Sequence, residues 1–190
     1  MRKIVFLAIA AVMIVGVSCK EDHTTPVNEI AKACFAPGGN DSYWEYFDGR
    51  AQGSDREFTV KVTNYEATQT ACDDKHTFSE YISYKLGGKE CRVFSNSCTE
   101  DGTAEIRFAI PHCDAPITMK CDASGHFDCD STAFLESYDV LGTVYDNVHY
   151  FGIKQGTNYY HCYFGEGVGL LYMNDNQQKV QLKLKACEIL

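Results

Sequence analysis

The sequence predicts an all-β protein: a single antiparallel domain of about ten short strands, arranged as a curved sheet, an open barrel or a sandwich. Apolar and polar residues alternate with period two along much of the chain, and turn-forming pairs separate the alternating segments. Such alternation is typical of antiparallel strands that have one face on a core and one in water. Aromatic residues make up 13% of the chain, which also suits β-structure.

The elements follow in order along the chain. A short helix is predicted over 27–34, where the Asn28 side chain would cap the first turn. Strand alternation then recurs at 58–62, 82–86, 104–110, 117–121 and 180–186. Turn signals lie between such segments, at Asp48-Gly49, Gly87-Gly88, Asp101-Gly102, Ser124-Gly125 and Asn174-Asp175-Asn176.

A hairpin is predicted near the C-terminus. The segments 159–164 and 168–173 would pair across Glu166 and Gly167, since glycine accepts the positive φ of a tight turn. A further strand would begin at Asn147 and Val148. No Pro/Ser-rich linker divides the chain after residue 40, so we predict one β domain over 34–190.

The N-terminus predicts export. Arg2 and Lys3 precede fourteen apolar or small residues, which is short for a membrane-spanning helix and typical of a cleaved signal peptide over 1–18. Gly16-Val17-Ser18-Cys19 resembles the lipobox of bacterial lipoproteins, and this resemblance implies that Cys19 carries lipid. An ordinary secretory signal is the alternative. The resemblance further implies a lipid-anchored tether over 19–33 and a place in the outer membrane of the cell envelope.

Three further stretches resemble secreted lipoproteins of Bacteroidetes-type bacteria. Lys20-Glu21-Asp22 is similar to their short surface-export signal, which implies a surface-exposed protein. The stretches 38–46 (GGNDSYWEY) and 159–170 (YYHCYFGEGVGL) resemble the G-x-x-W-x-Y and Y-Y-F-x-x-G-V-G-L motifs of such proteins. The resemblance implies an open β-barrel-like sheet and no particular activity.

Cysteine is abundant, with ten residues in the chain. An exported protein meets an oxidising compartment, so disulfides are expected among the nine cysteines other than Cys19, and an odd thiol remains. Spacing along the chain favours the pairs Cys91–Cys98 and Cys121–Cys129, although it does not determine the connectivity.

Two metal sites are alternatives to disulfides and to a solvated loop. His112, Cys113, Cys121, His126 and Cys129 offer nitrogen and sulfur ligands to zinc, but their spacing matches no standard pattern. The acidic set Asp122, Asp128 and Asp130 lacks the rhythm of a calcium loop. We therefore expect no metal and no cofactor.

No catalytic motif is present in the sequence. His161 and Cys162 are adjacent, but neighbouring residues of a strand point to opposite faces, so they would not form a catalytic pair. Exposed rings offer a binding surface as an alternative to core packing. The candidates form two groups: Tyr43, Trp44, Tyr46 and Phe47, then Tyr159, Tyr160 and Tyr163.

The sequence thus predicts a lipid-anchored envelope or cell-surface lipoprotein that acts as a non-enzymatic binding or structural module. Its partners would be the membrane, through the lipid, and a protein or glycan. The net charge of −9 and the lack of a basic stripe argue against nucleic acid. A surface-attached, glycan-directed hydrolase and a carrier of an apolar ligand are the alternatives.

Overall fold

A computed structural model describes residues 22–50, 56–72, 76–95, 103–109, 116–177 and 180–190. These residues form one helix and twelve strands, which confirms the predicted all-β class. The elements are β1 (His23–Thr25), α1 (Glu29–Phe35), β2 (Tyr43–Asp48), β3 (Glu57–Ala71), β4 (Thr77–Leu86), β5 (Lys89–Ser95), β6 (Ala104–Phe108), β7 (Ile117–Cys121), β8 (Ser131–Val140), β9 (Thr143–Gln155), β10 (Asn158–Gly165), β11 (Gly169–Asp175) and β12 (Gln181–Glu188).

All strands belong to one sheet. Its order is β7-β6-β5-β4-β3-β2-β12-β11-β10-β9-β8, and every neighbouring pair in that order is antiparallel. The short strand β1 is the exception, because it pairs in parallel with the start of β4. The sheet curls into a half-barrel, so the curved sheet is the predicted architecture that the chain adopts.

The helix fills the inside of the curl. Asn28 caps it as predicted: its side-chain oxygen accepts hydrogen bonds from Ile30 N at 3.0 Å and Ala31 N at 3.2 Å. Phe35, at the last residue of the helix, has no exposed surface. Its ring contacts four others, whose centroids lie 4.5–6.1 Å away: Phe108, Phe127, Phe151 and Phe164.

The predicted strands are found, although some bounds differ. The predicted strand 104–110 is β6, which ends at Phe108, and residue 110 lies outside the described residues. The segments 58–62 and 82–86 lie in β3 and β4, 117–121 is β7, and the C-terminal alternation is β12. The predicted hairpin is confirmed as β10 and β11, and Gly167 in its turn has a φ of +70°. Asn147 and Val148 lie inside β9 rather than at its beginning, because β9 already pairs with β8 from Thr143.

The folded part begins earlier than the predicted boundary at residue 34. Val27 and Ala31 are fully buried, and β1 is hydrogen-bonded to β4. Glu80 on β4 accepts hydrogen bonds from Val27 N at 2.9 Å and from Lys32 Nζ at 2.7 Å. Residues 23–33 of the predicted tether are therefore packed on the sheet.

The signal segment 1–18 and Cys19 lie outside the described residues. Among the residues that are described, no helix is both long and apolar enough to cross a membrane.

Candidate functional site

A continuous aromatic surface covers one face of the sheet at β8–β11. We call it the tyrosine platform. Every member is partly exposed, and Tyr138, Tyr163 and Tyr172 also pack against residues of the core. Its rings are Tyr138, Tyr150, Tyr159, His161, Tyr163 and Tyr172.

Strand alternation positions these rings. On β10, Tyr163 is partly exposed while its neighbours Cys162 and Phe164 have no exposed surface. Register then aligns the strands, because Tyr163 lies directly opposite Tyr150 on β9 and Tyr172 on β11. Directly opposite residues are close enough for side-chain contact, so one ring per strand is sufficient to build a continuous row.

Tyr163 is the centre of the platform. Its ring stacks on Tyr138 with centroids 4.3 Å apart and planes 14° apart. The rings of Tyr150 and Tyr172 lie 5.1 Å and 5.6 Å from it. Aromatic contacts of this kind add stability beyond area burial, and they hold each ring in one orientation.

Polar groups extend the platform toward the start of β8. Tyr150 Oη lies 2.9 Å from His161 Nδ1, and Ser131 Oγ lies 2.9 Å from Tyr159 Oη. Gly152 lies beneath them: a Cβ there would be 2.2 Å from both Ser131 Oγ and Tyr159 Oη. The absence of a side chain at Gly152 therefore lets these hydroxyls approach one another.

The phenols of the platform resist ionisation. Burial, and then the neighbouring Tyr163 and Tyr172, raise the pKa of Tyr138 to about 12. Burial also raises the pKa of Tyr163 and of Tyr150. These phenols stay neutral at any physiological pH and keep their O–H donors. The surface therefore combines ring faces with neutral hydroxyl groups, which suits binding rather than acid–base or nucleophilic chemistry.

The predicted aromatic residues divide between platform and core. Tyr159 and Tyr163 belong to the platform, whereas Tyr160 is buried. Trp44 and Tyr46 are core residues: Trp44 Nε1 donates to Val168 O at 2.6 Å and Tyr46 Oη to Leu170 O at 2.9 Å. The other two members of the first group, Tyr43 and Phe47, are half-buried on β2.

The cysteines are arranged differently from the predicted disulfides. No two cysteines of the described residues form a disulfide. Cys121 and Cys129 are both thiols, and their Sγ atoms face different carbonyls: Asp122 O at 3.6 Å and Ser131 O at 3.4 Å. Cys91 is buried, its Sγ accepts a hydrogen bond from Ala109 N, and Cys98 lies outside the described residues.

His161 and Cys162 take opposite faces of β10, as predicted. Cys162 is fully buried, whereas His161 reaches Tyr150 on the platform. This separation removes them as a nucleophile–base pair.

The acidic loop closes on itself. Asp122 Oδ1 accepts hydrogen bonds from Ser124 N, Ser124 Oγ and His126 N at 2.6–2.9 Å, so it shapes a turn. No three His, Cys, Asp or Glu side chains of the described ranges are grouped so that they would hold a metal ion. His112 and Cys113 of the zinc alternative lie outside those ranges.

The interior of the half-barrel is filled. The apolar void beside Trp44, Tyr46, Tyr84 and Phe108 has a volume of about 10 Å³. That is about the space that one water molecule needs. Larger spaces are open grooves: one of about 410 Å³ along β5–β7, one of about 330 Å³ beside Tyr138 and Tyr172, and one of about 320 Å³ beside Phe134 and His149.

Sequence reasoning missed half of the platform. Register brings Tyr150 and Tyr172 to Tyr163. Tyr138 lies opposite Tyr145 in the sheet and reaches Tyr163 through ring stacking, which the sequence does not indicate. Gly152 was a usable signal, because an isolated glycine within a strand pattern suggests a close approach. Comparisons of this chain with protein-family models, with curated proteins and with solved structures find no match.

Proposed function

We propose that this protein is a lipid-anchored, non-enzymatic module of the bacterial cell surface that binds a glycan on its tyrosine platform. The observation that carries the glycan part is the platform itself: six aromatic rings on one exposed sheet face, held by contacts around Tyr163. The anchoring part rests on the lipobox-like residues before Cys19.

The chemistry of the platform suits a sugar. Ring faces present an apolar surface on which the C–H groups of a pyranose stack, while phenol hydroxyls exchange hydrogen bonds with sugar hydroxyls. Tyr138, Tyr150 and Tyr163 supply both in one row, and their raised pKa values keep them neutral. Because the rings are already packed against one another, little side-chain entropy is lost on binding.

The filled interior favours this role over a carrier of apolar ligands. A carrier needs a cavity of about 300 Å³ or more to enclose its ligand. The void beside Trp44 has about 10 Å³. The platform also lacks the pair of carboxylates that a glycan hydrolase uses.

The binding experiment uses the full chain, purified in a non-ionic detergent. We expect it to bind at least one member of an array of neutral oligosaccharides that includes chitohexaose, maltohexaose and mannan fragments. Calorimetry should show that Tyr163→Ala weakens that binding about fivefold, since stacking is worth about one kcal/mol. Tyr163→Phe should retain most of it, because it keeps the ring.

Tyr43→Ala is the matched control, because Tyr43 is a half-buried ring on β2 outside the platform. Equal binding by wild type and Tyr163→Ala would refute the glycan site, as would an array without any binder. Binding of an envelope protein alone would assign the platform to a protein partner instead.

Anchoring has its own test. In the native host, the full chain should fractionate with membranes, and the N-terminal peptide should carry acyl chains on Cys19. The Cys19→Ser variant should appear in the soluble fraction, because the polypeptide without acyl chains is not stably attached to a bilayer. An unmodified Cys19 in the wild-type protein would refute the anchor and leave the platform untouched.

A further inference from the structure

A row of four polar side chains crosses the other half of the sheet. Register places Ser83 on β4 opposite Arg92 on β5, Arg92 opposite Arg107 on β6, and Arg107 opposite Thr118 on β7. Their neighbours along each strand, such as Val93 and Ile106, are buried. The row therefore faces away from the core.

The two arginines are an unfavourable pair in the absence of a ligand, because like charges directly opposite in an antiparallel sheet destabilise it. Glu90 is hydrogen-bonded to only one of them: its carboxylate accepts from Arg92 Nη2 at 2.6 Å and from Arg92 Nε at 3.0 Å. Arg107 acts on Glu90 at longer range, since its charge also helps to lower the pKa of that carboxyl. The described residues give Arg107 no ion-pair partner. The chain has 26 acidic and 17 basic residues, so a shortage of carboxylates does not explain why Arg107 forms no ion pair with a described residue.

The row forms one side of the groove of about 410 Å³. Its other side is the next cross-strand row, in which Phe94 lies opposite Glu105 and Glu105 opposite Lys120. Phe94 packs on Tyr81 with centroids 5.6 Å apart. Lys120 Nζ and Glu105 Oε1 form an ion pair at 3.8 Å.

Charge is thus distributed unevenly along the groove. The guanidinium groups of Arg92 and Arg107 lie on one side, and an aromatic face with the Glu105–Lys120 ion pair lies on the other. Asp128, whose backbone N donates to Lys120 O, adds a second carboxylate beyond β7. An oxyanion fits best at the arginine side, because Lys120 on the other side is already paired with Glu105. Arg107 offers paired N–H donors there, and Arg92 offers its Nη1 group, since its Nε and Nη2 donate to Glu90.

We infer that this groove binds an acidic saccharide, with a sulfate or carboxylate group on Arg92 and Arg107. The sugar ring lies over Phe94, and its hydroxyls donate to the Glu105 carboxylate. This site goes beyond the tyrosine platform, because it lies on different strands and uses charge rather than neutral phenols.

The test uses calorimetry on the full chain in non-ionic detergent at low ionic strength, since salt screens exposed charges. The probes are a heparin tetrasaccharide, its desulfated counterpart, an oligogalacturonide and inorganic sulfate. We expect at least one acidic saccharide to bind. Arg107→Gln should weaken that binding about tenfold or more, because it removes a charged hydrogen-bond donor.

Lys154→Gln is the matched control, an exposed cation on β9 whose loss should change nothing. Thermal unfolding separates binding from a structural role: Arg107→Gln should leave the melting temperature of the unliganded protein unchanged or raise it, because it relieves the repulsion from Arg92. Tyr163→Ala should leave binding in the groove intact even if the platform binds nothing.

Several results would overturn the inference. They are the absence of binding by either acidic saccharide, equal binding by Arg107→Gln, and inorganic sulfate that binds as tightly as the acidic saccharide. The desulfated heparin keeps its carboxylates, so its equal binding would support the site and assign the bound group as a carboxylate. A lower melting temperature for unliganded Arg107→Gln would make the arginine a structural residue. A probe recovered in cleaved form would make the groove a catalytic site.

Discussion

Phe35→Ala should remove the contact that joins the helix to both halves of the curled sheet. Phe35 is fully buried, and its ring centroid lies 4.5 Å from that of Phe164, 5.6 Å from Phe151 and 5.7 Å from Phe108. Phe108 belongs to β6, whereas Phe151 and Phe164 belong to β9 and β10. One side chain therefore connects strands that lie far apart in the sheet order.

The expected loss follows from burial and from the cavity that remains. A buried Phe→Ala change costs about 3–5 kcal/mol, because the transfer free energy of the ring is lost and the surrounding core collapses only in part. Domains of this size are stable by about 5–15 kcal/mol, so the variant keeps only part of its stability. With a urea m-value of about 2 kcal/mol/M, the unfolding midpoint should fall by about 2 M.

Urea unfolding, followed by circular dichroism on the full chain, measures this shift. Phe134→Ala is the matched control: the side chain of Phe134 is 56% exposed, so its midpoint should change little. Phe35→Leu should lie between wild type and Phe35→Ala, because it leaves a smaller cavity. A loss below about 1 kcal/mol for Phe35→Ala, or one no larger than for Phe134→Ala, would refute the role of Phe35 as the central core residue.

Two other predictions concern Glu80 and Leu141. Burial acts to raise the pKa of Glu80, but hydrogen bonds from Lys32 and the Val27 N–H outweigh it and lower the pKa below its ordinary value of 4.5. Its stabilising contribution is therefore present above pH 4.5 and lost as the pH falls through the lowered pKa. The urea unfolding midpoint should decline less between pH 6 and pH 3 for Glu80→Gln than for wild type. Equal declines in the two proteins would show that ionised Glu80 does not contribute to stability. Leu141 has a φ of +54° in the turn between β8 and β9 and is 54% exposed. Leu141→Asn should stabilise the protein by about 1 kcal/mol, since asparagine tolerates this conformation and leucine does not. A lower midpoint than wild type would show that the exposed leucine makes a stabilising contact.

The local features of the chain were predictable because they depend on neighbouring residues. Alternation specified the strands, and Asn28 specified the start of the helix, since a cap acts within three residues. The hairpin of β10 and β11 followed from glycine in its turn. The opposite orientations of His161 and Cys162 followed from the pleat alone.

Other features depend on long-range contacts and were predicted wrongly or not at all. The segment 23–33 is polar enough to suggest a tether, yet Val27 and Ala31 are buried because Glu80, about fifty residues further along the chain, holds that segment on β4. Spacing also favoured a bridge between Cys121 and Cys129. Their thiols instead face separate carbonyls, since proximity along the chain does not set side-chain direction.

By itself, the sequence determined the fold class, most strand positions and the helix cap, because period, turn chemistry and capping are local. The tertiary structure decided which residues share a surface. Tyr150, Tyr163 and Tyr172 become one row of the platform, and Arg92 and Arg107 become one pair, only after the register of the sheet is set. Register depends on the simultaneous pairing of all strands, and a shift of one residue would turn each side chain to the opposite face.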